Sequence, residues 1–261
     1  MQSIRLDKFI ADRTEYSRSQ IKLLVKKGAV RVDGVAAKTS DLKINPDEQS
    51  VSVEGKTLTY REKTYIILNK PEDYVCSTDS KDGANVIDLI PEELRVKGLF
   101  PAGRLDKDTL GLVFLTDDGE LAHRILSPKH HIPKIYLVKL DRPFQSKYID
   151  QFKNGLVLEN GEKCLSARVA AVENNKNFAF VELCEGKYHQ IKRMFASVEN
   201  HVERLMRVSM GGLELPENLG KGQHIELLHK DVERLFDPLD FTSFCQKKFV
   251  VFSSYLINKQ L

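Results

Sequence analysis

The chain has 261 residues, 41% hydrophobic and 30% charged, with a formal net charge of +3. That balance is ordinary for a soluble globular protein and gives room for one large domain or a small one plus a medium one. It excludes a helical membrane protein, since no apolar run approaches the roughly 18 residues of a spanning helix, and the four scattered cysteines, with no Cys-x-x-Cys, exclude a disulfide or zinc framework.

The first residues are charged and lack the apolar stretch of a signal peptide, so a cytoplasmic location is expected. Residues 1–43 hold ten Lys or Arg against five Asp or Glu, a surplus larger than the charge of the whole chain. Leu6, Phe9 and Ile10 stand at i, i+3, i+4 and predict a first short helix. A second is predicted over residues 19–27, capped by Ser17 or Ser19 and stopped by Gly28, with Ile21, Leu24 and Val25 facing the core. Arg18, Lys22 and Lys26 recur at i, i+4, i+8 on another face, a row that is either a solvated surface or a phosphate reader. Val30-Arg-Val-Asp-Gly-Val35 adds a strand and turn, and Val51-Ser-Val53 a closing strand. Helix, basic helix and Val-x-Val-Asp-Gly together resemble the S4-type RNA-binding module. The resemblance assigns residues 1–57 to that module and implies RNA contacts by Arg5, Arg18, Lys22, Lys26 and Lys27.

The charged stretch that follows places a linker at 58–64, and a second domain is assigned to 65–236. Tyr65-Ile-Ile-Leu-Asn69 opens it as a strand that Lys70-Pro71 ends. Lys70 is then either a solvated strand end or a contact to RNA backbone. Residues 79–85 read as a polar loop, and residues 86–94, interrupted by Pro91, as at most a broken helix. Gly103-Arg-Leu-Asp-Lys-Asp-Thr109 then runs as a polar loop into the apolar strand Leu110-Gly-Leu-Val-Phe-Leu-Thr116, bounded by Asp117-Asp118-Gly119. Packing fixes the backbone of an acid at the lip of a buried strand while its carboxylate faces a cleft, which suits a nucleophile or a general base. An ion pair between Arg104 and a nearby Asp is the plainer reading of the same residues.

Glu120-Leu-Ala-His-Arg-Ile-Leu126 predicts a short helix ended by Pro128, followed by the basic loop Lys129-His130-His131. No spacing groups the histidines with a carboxylate, so no metal site is expected. Residues 134–140 predict a strand that puts Tyr136 on one face with Val138 and Leu140, by default as a core residue. Residues 178–183 alternate as another strand, turned by Glu185-Gly186-Lys187. Ile191, Met194, Phe195 and Val198 make residues 190–199 an amphipathic helix with Lys192 and Arg193 off its apolar stripe. Leu205-Met-Arg-Val208 and Gly211-Gly-Leu-Glu-Leu215 read as strand pieces that close the domain. Residues 237–261 are an extension without an assigned role, apolar enough for an added strand or a packing tail and expected to be covered. Asp106 with Asp108, or Asp117 with Asp118, are the pairs a glycoside hydrolase would need. Neighbouring turn acids seldom flank a substrate from both sides at the roughly 5–9 Å required.

Gly103-Arg104-Leu105-Asp106, Thr109 and Gly111-Leu112 resemble the active-site motif of the pseudouridine synthases. Asn69-Lys70-Pro71, Tyr136 within Lys-Ile-Tyr-Leu-Val, and Glu185-Gly-Lys-Tyr-His-Gln-Ile-Lys-Arg-Met194 follow in that family's order, and the likeness covers roughly residues 1–235. Cys76-Ser-Thr-Asp79 and Ser127-Pro-Lys-His-His131 point to the branch acting on the bacterial small subunit. The resemblance implies an α+β fold: a small S4-like helix/strand domain, then a larger mixed, mainly antiparallel β-sheet catalytic domain with helices packed around it. It implies isomerisation of one uridine in 16S ribosomal RNA, of the uridine 516 type, by a monomer acting within a small-subunit assembly particle. No cofactor and no metal are implied, because the base is detached, turned and rejoined with no net redox change. A large-subunit RNA target is the runner-up, and a non-catalytic RNA-binding assembly factor the more distant rival.

Residue by residue, the resemblance makes Asp106 the essential acid, acting at the anomeric carbon or on the proton beside it. Tyr136 stacks on the uracil, and Lys192 sits beside Asp106. Burial under a base favours the neutral acid, and a cation within about 4–6 Å restores the charged form. Arg104, His131 and Arg193, with Lys70, are implied to contact RNA.

Overall fold

Turn chemistry and apolar spacing act together in the N-terminal unit, Met1–Thr64 with Glu92–Leu99. The computed structural model describes residues 3–46, 48–58 and 63–257. Helix α1 (Leu6–Ala11) is followed by α2 (Arg18–Lys26). Ser17 and Gln20 form a capping box at the start of α2, two residues earlier than a Ser19 cap would allow. Gly28, at φ +69°, takes the chain out of the helix. Strands β1 (Val30–Val32), β2 (Val35–Ala36), β3 (Val51–Val53) and β4 (Lys56–Leu58) form a sheet in the order β2-β1-β3-β4. Asp33 and Gly34, both at positive φ, supply the two-residue turn between β1 and β2. Val51–Val53 does not close this sheet as expected, because β4 adds a further edge. Residues 59–62 of the expected linker lie outside the described residues. Leu6, Phe9, Ile10, Ile21 and Val25 are buried against the valines of β1 and β3.

The second unit, Tyr65–Pro91 with Phe100–Leu261, is built on a nine-stranded mixed sheet. Its main strands are β5 (Tyr65–Lys70), β6 (Leu110–Thr116), β7 (Lys134–Leu140), β8 (Arg168–Ala171), β9 (Phe178–Leu183), β10 (Val202–Met210) and β11 (His224–Glu226). They run in the order β8-β9-β7-β10-β6-β5-β11. Every residue of β6 is buried, as a continuous apolar run on an inner strand requires. Among the described strands, β6 and β10 alone pair in parallel, with Leu110 opposite Met206 and Gly111 opposite Arg207. β10 is therefore not a closing piece. It lies in the middle of the sheet, between β7 and β6.

Gly111 makes that pairing possible. Its φ is +98°, and a Cβ there would lie 2.2 Å from the Arg207 carbonyl oxygen. Gly111→Ala combines backbone strain with a main-chain clash. It is expected to cost about 3 kcal/mol or more, read as a lowered midpoint in urea unfolding.

One face of the sheet carries the large core, including Leu110, Leu112, Phe114, Ile135, Leu137, Phe180, Met206 and Val208. Helix α3 (Gly119–Leu126), N-capped by Asp118, contributes Leu121, Ala122 and Ile125, and α4 (Lys147–Lys153) follows β7. The extension is a helix, α6 (Phe241–Ile257), not a strand. Its apolar residues recur at helical spacing, and Phe241, Phe244, Phe252 and Leu256 enter the same core. Phe244 meets Phe180, and Phe249 meets Phe178, in edge-on ring contacts. The expected cover is thus real, and the segment is packed as a tail.

Candidate active site

The loop before β6 is held from below at alternate residues. Leu105 N donates to the buried Cys76 Sγ at 3.3 Å, and Asp73 N donates to the Lys107 carbonyl at 3.0 Å. Lys70 Nζ donates to the carbonyls of Pro71, Lys107 and Thr109 at 2.9–3.0 Å. Thr109 N closes a turn onto the Asp106 carbonyl at 3.0 Å. With 105, 107 and 109 tied down, the side chain of Asp106 projects into a cleft that Tyr136, Leu205 and His189 also line. That side chain is 28% exposed.

Lys70 is therefore not a contact for RNA backbone. It is fully buried, and all three of its donors are spent on main-chain carbonyls. Burial pulls the ammonium down to about 8 from its ordinary 10.5, against the opposing pull of Cys76 and the nearby aspartates.

Helix α5 (Gln190–Ala196) brings Lys192 to the edge of this cleft, in the adjoining pocket that Asp108 and Arg204 also line, because Ile191, Met194 and Phe195 bury its other face. Lys192 Nζ is 3.4 Å from Asp106 Oδ2 and donates more closely to Asp108, at 2.6 and 2.8 Å. One ammonium thus serves two carboxylates. His189, at φ +48° just before the helix, brings Nε2 to 3.7 Å from Asp106 Oδ2. Sequence reasoning misses His189 and this use of Asp108. The available signal is position: His189 immediately precedes the helix that carries Lys192.

Strand alternation places Ile135 and Leu137 in the main core and turns Tyr136 to the opposite face, where its ring lines the cleft. Arg207 stands opposite Tyr136 on β10, buried, with Nε donating to the Leu112 carbonyl at 2.7 Å. Arg104 is exposed at the cleft. His131 is exposed after α3 and does not line the cleft.

Two other cations expected on RNA are already engaged. Arg193 bonds Asn160 Oδ1 at 2.7 Å, the Tyr188 carbonyl at 3.2 Å and Glu162 Oε2 at 3.0 Å, and with Lys187 it holds the Glu162 carboxyl below its usual range. Arg5 forks onto Asp7 through Nε and a terminal nitrogen, at 3.1 and 2.7 Å. Arg18, Lys22, Lys26 and Lys27 are exposed. The acid pair 117–118 serves the fold, Asp118 accepting from Leu121 N and from the Tyr65 hydroxyl. Among the described residues no cluster of His, Cys, Asp or Glu is arranged to hold a metal, and no helix is long and apolar enough to cross a membrane.

The RNA pseudouridylate synthase family model matches residues 64–197, and the S4 domain model matches residues 4–50. Ribosomal small subunit pseudouridine synthase A of Escherichia coli (strain K12) is 40% identical over 230 residues, which are 88% of this chain and 98% of that protein. An uncharacterized RNA pseudouridine synthase of Bacillus subtilis is 41% identical over 238 residues, covering 90% and 99%. A crystal structure of a pseudouridylate synthase superposes with a TM-score of 0.63 at 37% identity, across 89% of this chain and all of that one.

Proposed function

Since the chain belongs to the RNA pseudouridylate synthase family and carries an S4 domain, we propose that it converts one uridine of 16S ribosomal RNA, of the uridine 516 type, to pseudouridine. The observation that carries this reading is the Asp106 carboxylate facing a cleft beside Tyr136, with Lys192 Nζ at 3.4 Å. The target base cannot be reached while stacked, so it is everted at a cost of a few kcal/mol. Asp106 then acts at the ribose, either on the anomeric carbon or on the proton beside it. Lys192 pairs with the Asp106 carboxylate at 3.4 Å and holds it in place at the cleft. Tyr136 stacks on the uracil while the base turns and is rejoined through C5. Arg104, exposed at the cleft, holds phosphate or keeps the strand open. The division of labour puts catalysis in residues 65–236 and RNA delivery in residues 1–57, with a monomer working in the cytosol on an assembling small subunit.

Arg18, Lys22 and Lys26 on the exposed face of α2 supply phosphate contacts that offset eversion. Replacing all three with Gln is expected to weaken RNA binding and to reduce the slope of log K against log salt by about 0.7–0.9 for each phosphate no longer neutralised. Filter binding between low and moderate salt checks this; an unchanged slope removes α2 from the interface.

The reading as a whole is tested by mapping pseudouridines in ribosomal RNA from cells with and without the protein, and in a 16S transcript treated with it. Loss of one 16S pseudouridine in the deletion, restored in vitro, is the expected result. A site missing from 23S RNA instead would move the target to the large subunit, and an unchanged map would overturn the proposal.

A further inference from the structure

Tyr188 is 77% exposed although it stands in a hydrogen-bonded turn of the cleft wall. Its ring lies on the ring of His189, with centroids 3.9 Å apart and planes 17° from parallel. His189 in turn lines the cleft, with Nε2 3.7 Å from Asp106 Oδ2. Two parallel rings therefore step outward from the acid at about the spacing of stacked bases, and the outer one is open to solvent.

The turn that carries them is fixed in advance. Lys187 N donates to Gln190 Oε1 at 2.9 Å, and Gln190 Nε2 donates to the Glu185 carboxylate. The Tyr188 carbonyl accepts from Arg193, which Asn160 and Glu162 hold in place. So the guanidinium that the sequence offers to RNA instead holds the backbone of an exposed aromatic. A rigid ring with a bare face beside a nucleic-acid cleft matches the way proteins hold unstacked bases, since every base has a π-face and needs no particular hydrogen bond.

We propose that the Tyr188–His189 pair is a stacking platform for a nucleobase adjacent in the RNA to the uridine that enters the cleft. This rests on the uridine-modifying reading of Asp106 and adds a second base site to it. Tyr188 takes no part in the bond changes; it holds the strand where the everted nucleotide leaves it.

The test uses the full chain and an in vitro 16S transcript. For Tyr188→Ala, KM for pseudouridine formation and Kd by filter binding should both rise about tenfold, within the range that loss of one base–aromatic stack produces, with kcat little changed. Tyr188→Phe should match the wild type, and Tyr188→Leu, which keeps bulk without a π-face, should resemble Tyr188→Ala. In a synthetic hairpin around the mapped uridine, an abasic site at one neighbouring position should weaken the wild type by the same factor and leave Tyr188→Ala unaffected. Wild-type KM and Kd for Tyr188→Ala, or for Tyr188→Leu, would overturn the platform. If the wild type forms no pseudouridine, the functional reading fails, and the Kd series still decides whether Tyr188 stacks on RNA.

Discussion

Asp106→Asn is expected to lose pseudouridine formation by more than about 10³-fold, since removing an essential nucleophile or base costs up to roughly 10⁶ in other enzymes. RNA affinity should stay close to the wild type, because the exchange keeps the shape of the side chain and leaves the basic helix untouched. The fold should hold as well. Asp106 is a surface acid of the cleft, and Lys192 retains its two closer bonds to Asp108. Single-turnover assays on a 16S transcript, read by mass spectrometry, with filter binding alongside, separate the two effects. Turnover by the variant within tenfold of the wild type would exclude Asp106 as the catalytic group.

Lys70→Met is expected to be nearly as damaging, through a different route. The substitution leaves three carbonyls, of Pro71, Lys107 and Thr109, without their shared donor in or near the buried strand end. An unsatisfied buried polar group costs about 1–3 kcal/mol, so a loss near 3 kcal/mol is expected from the group as a whole. Two of those carbonyls flank Asp106 and Asp108, and a misplacement on the order of 1 Å at a reacting group costs about 10²-fold. Both a lower denaturation midpoint and a lower kcat should follow; normal values for both would show that the loop is held by other bonds.

The same residue gives a pH dependence. The folded state releases the Lys70 proton at about 8, against 10.5 for an ordinary lysine. Between those values the unfolded chain binds the extra proton, so the stability of the wild type relative to Lys70→Met should widen as pH rises from about 8 to 10.5.

Elements with strong periodicity are legible in the sequence alone. Leu110 to Leu115 reads as a buried strand, Ile191 to Val198 as a helix face, and Asp33-Gly34 as a hairpin turn, because each signal is local. The family resemblance then points to Asp106 and Tyr136, which line one cleft, and to Lys192, whose ammonium lies 3.4 Å from the Asp106 carboxylate. The misreadings share a cause. Lys70 looks like a surface residue because its chemistry does, and it is buried only because carbonyls 37 and 39 residues away converge on it. Arg193 looks free because Asn160 and Glu162 are distant in sequence. α6 reads with a strand as one option because Phe249, Val250 and Val251 are β-prone, and only packing against Phe178 and Phe180 decides for the helix.

The parallel seam between β6 and β10 sets an order of events during synthesis. The strand behind Asp106 has one neighbour, β5, within reach early, but its other flank is filled by residues around Arg207, some 95 positions later. Closing so long a loop is slow, whereas the S4 domain is stitched by short-range contacts. A nascent chain emerging at about 5–20 residues per second would thus own a folded RNA grip for several seconds before its enzyme half could exist.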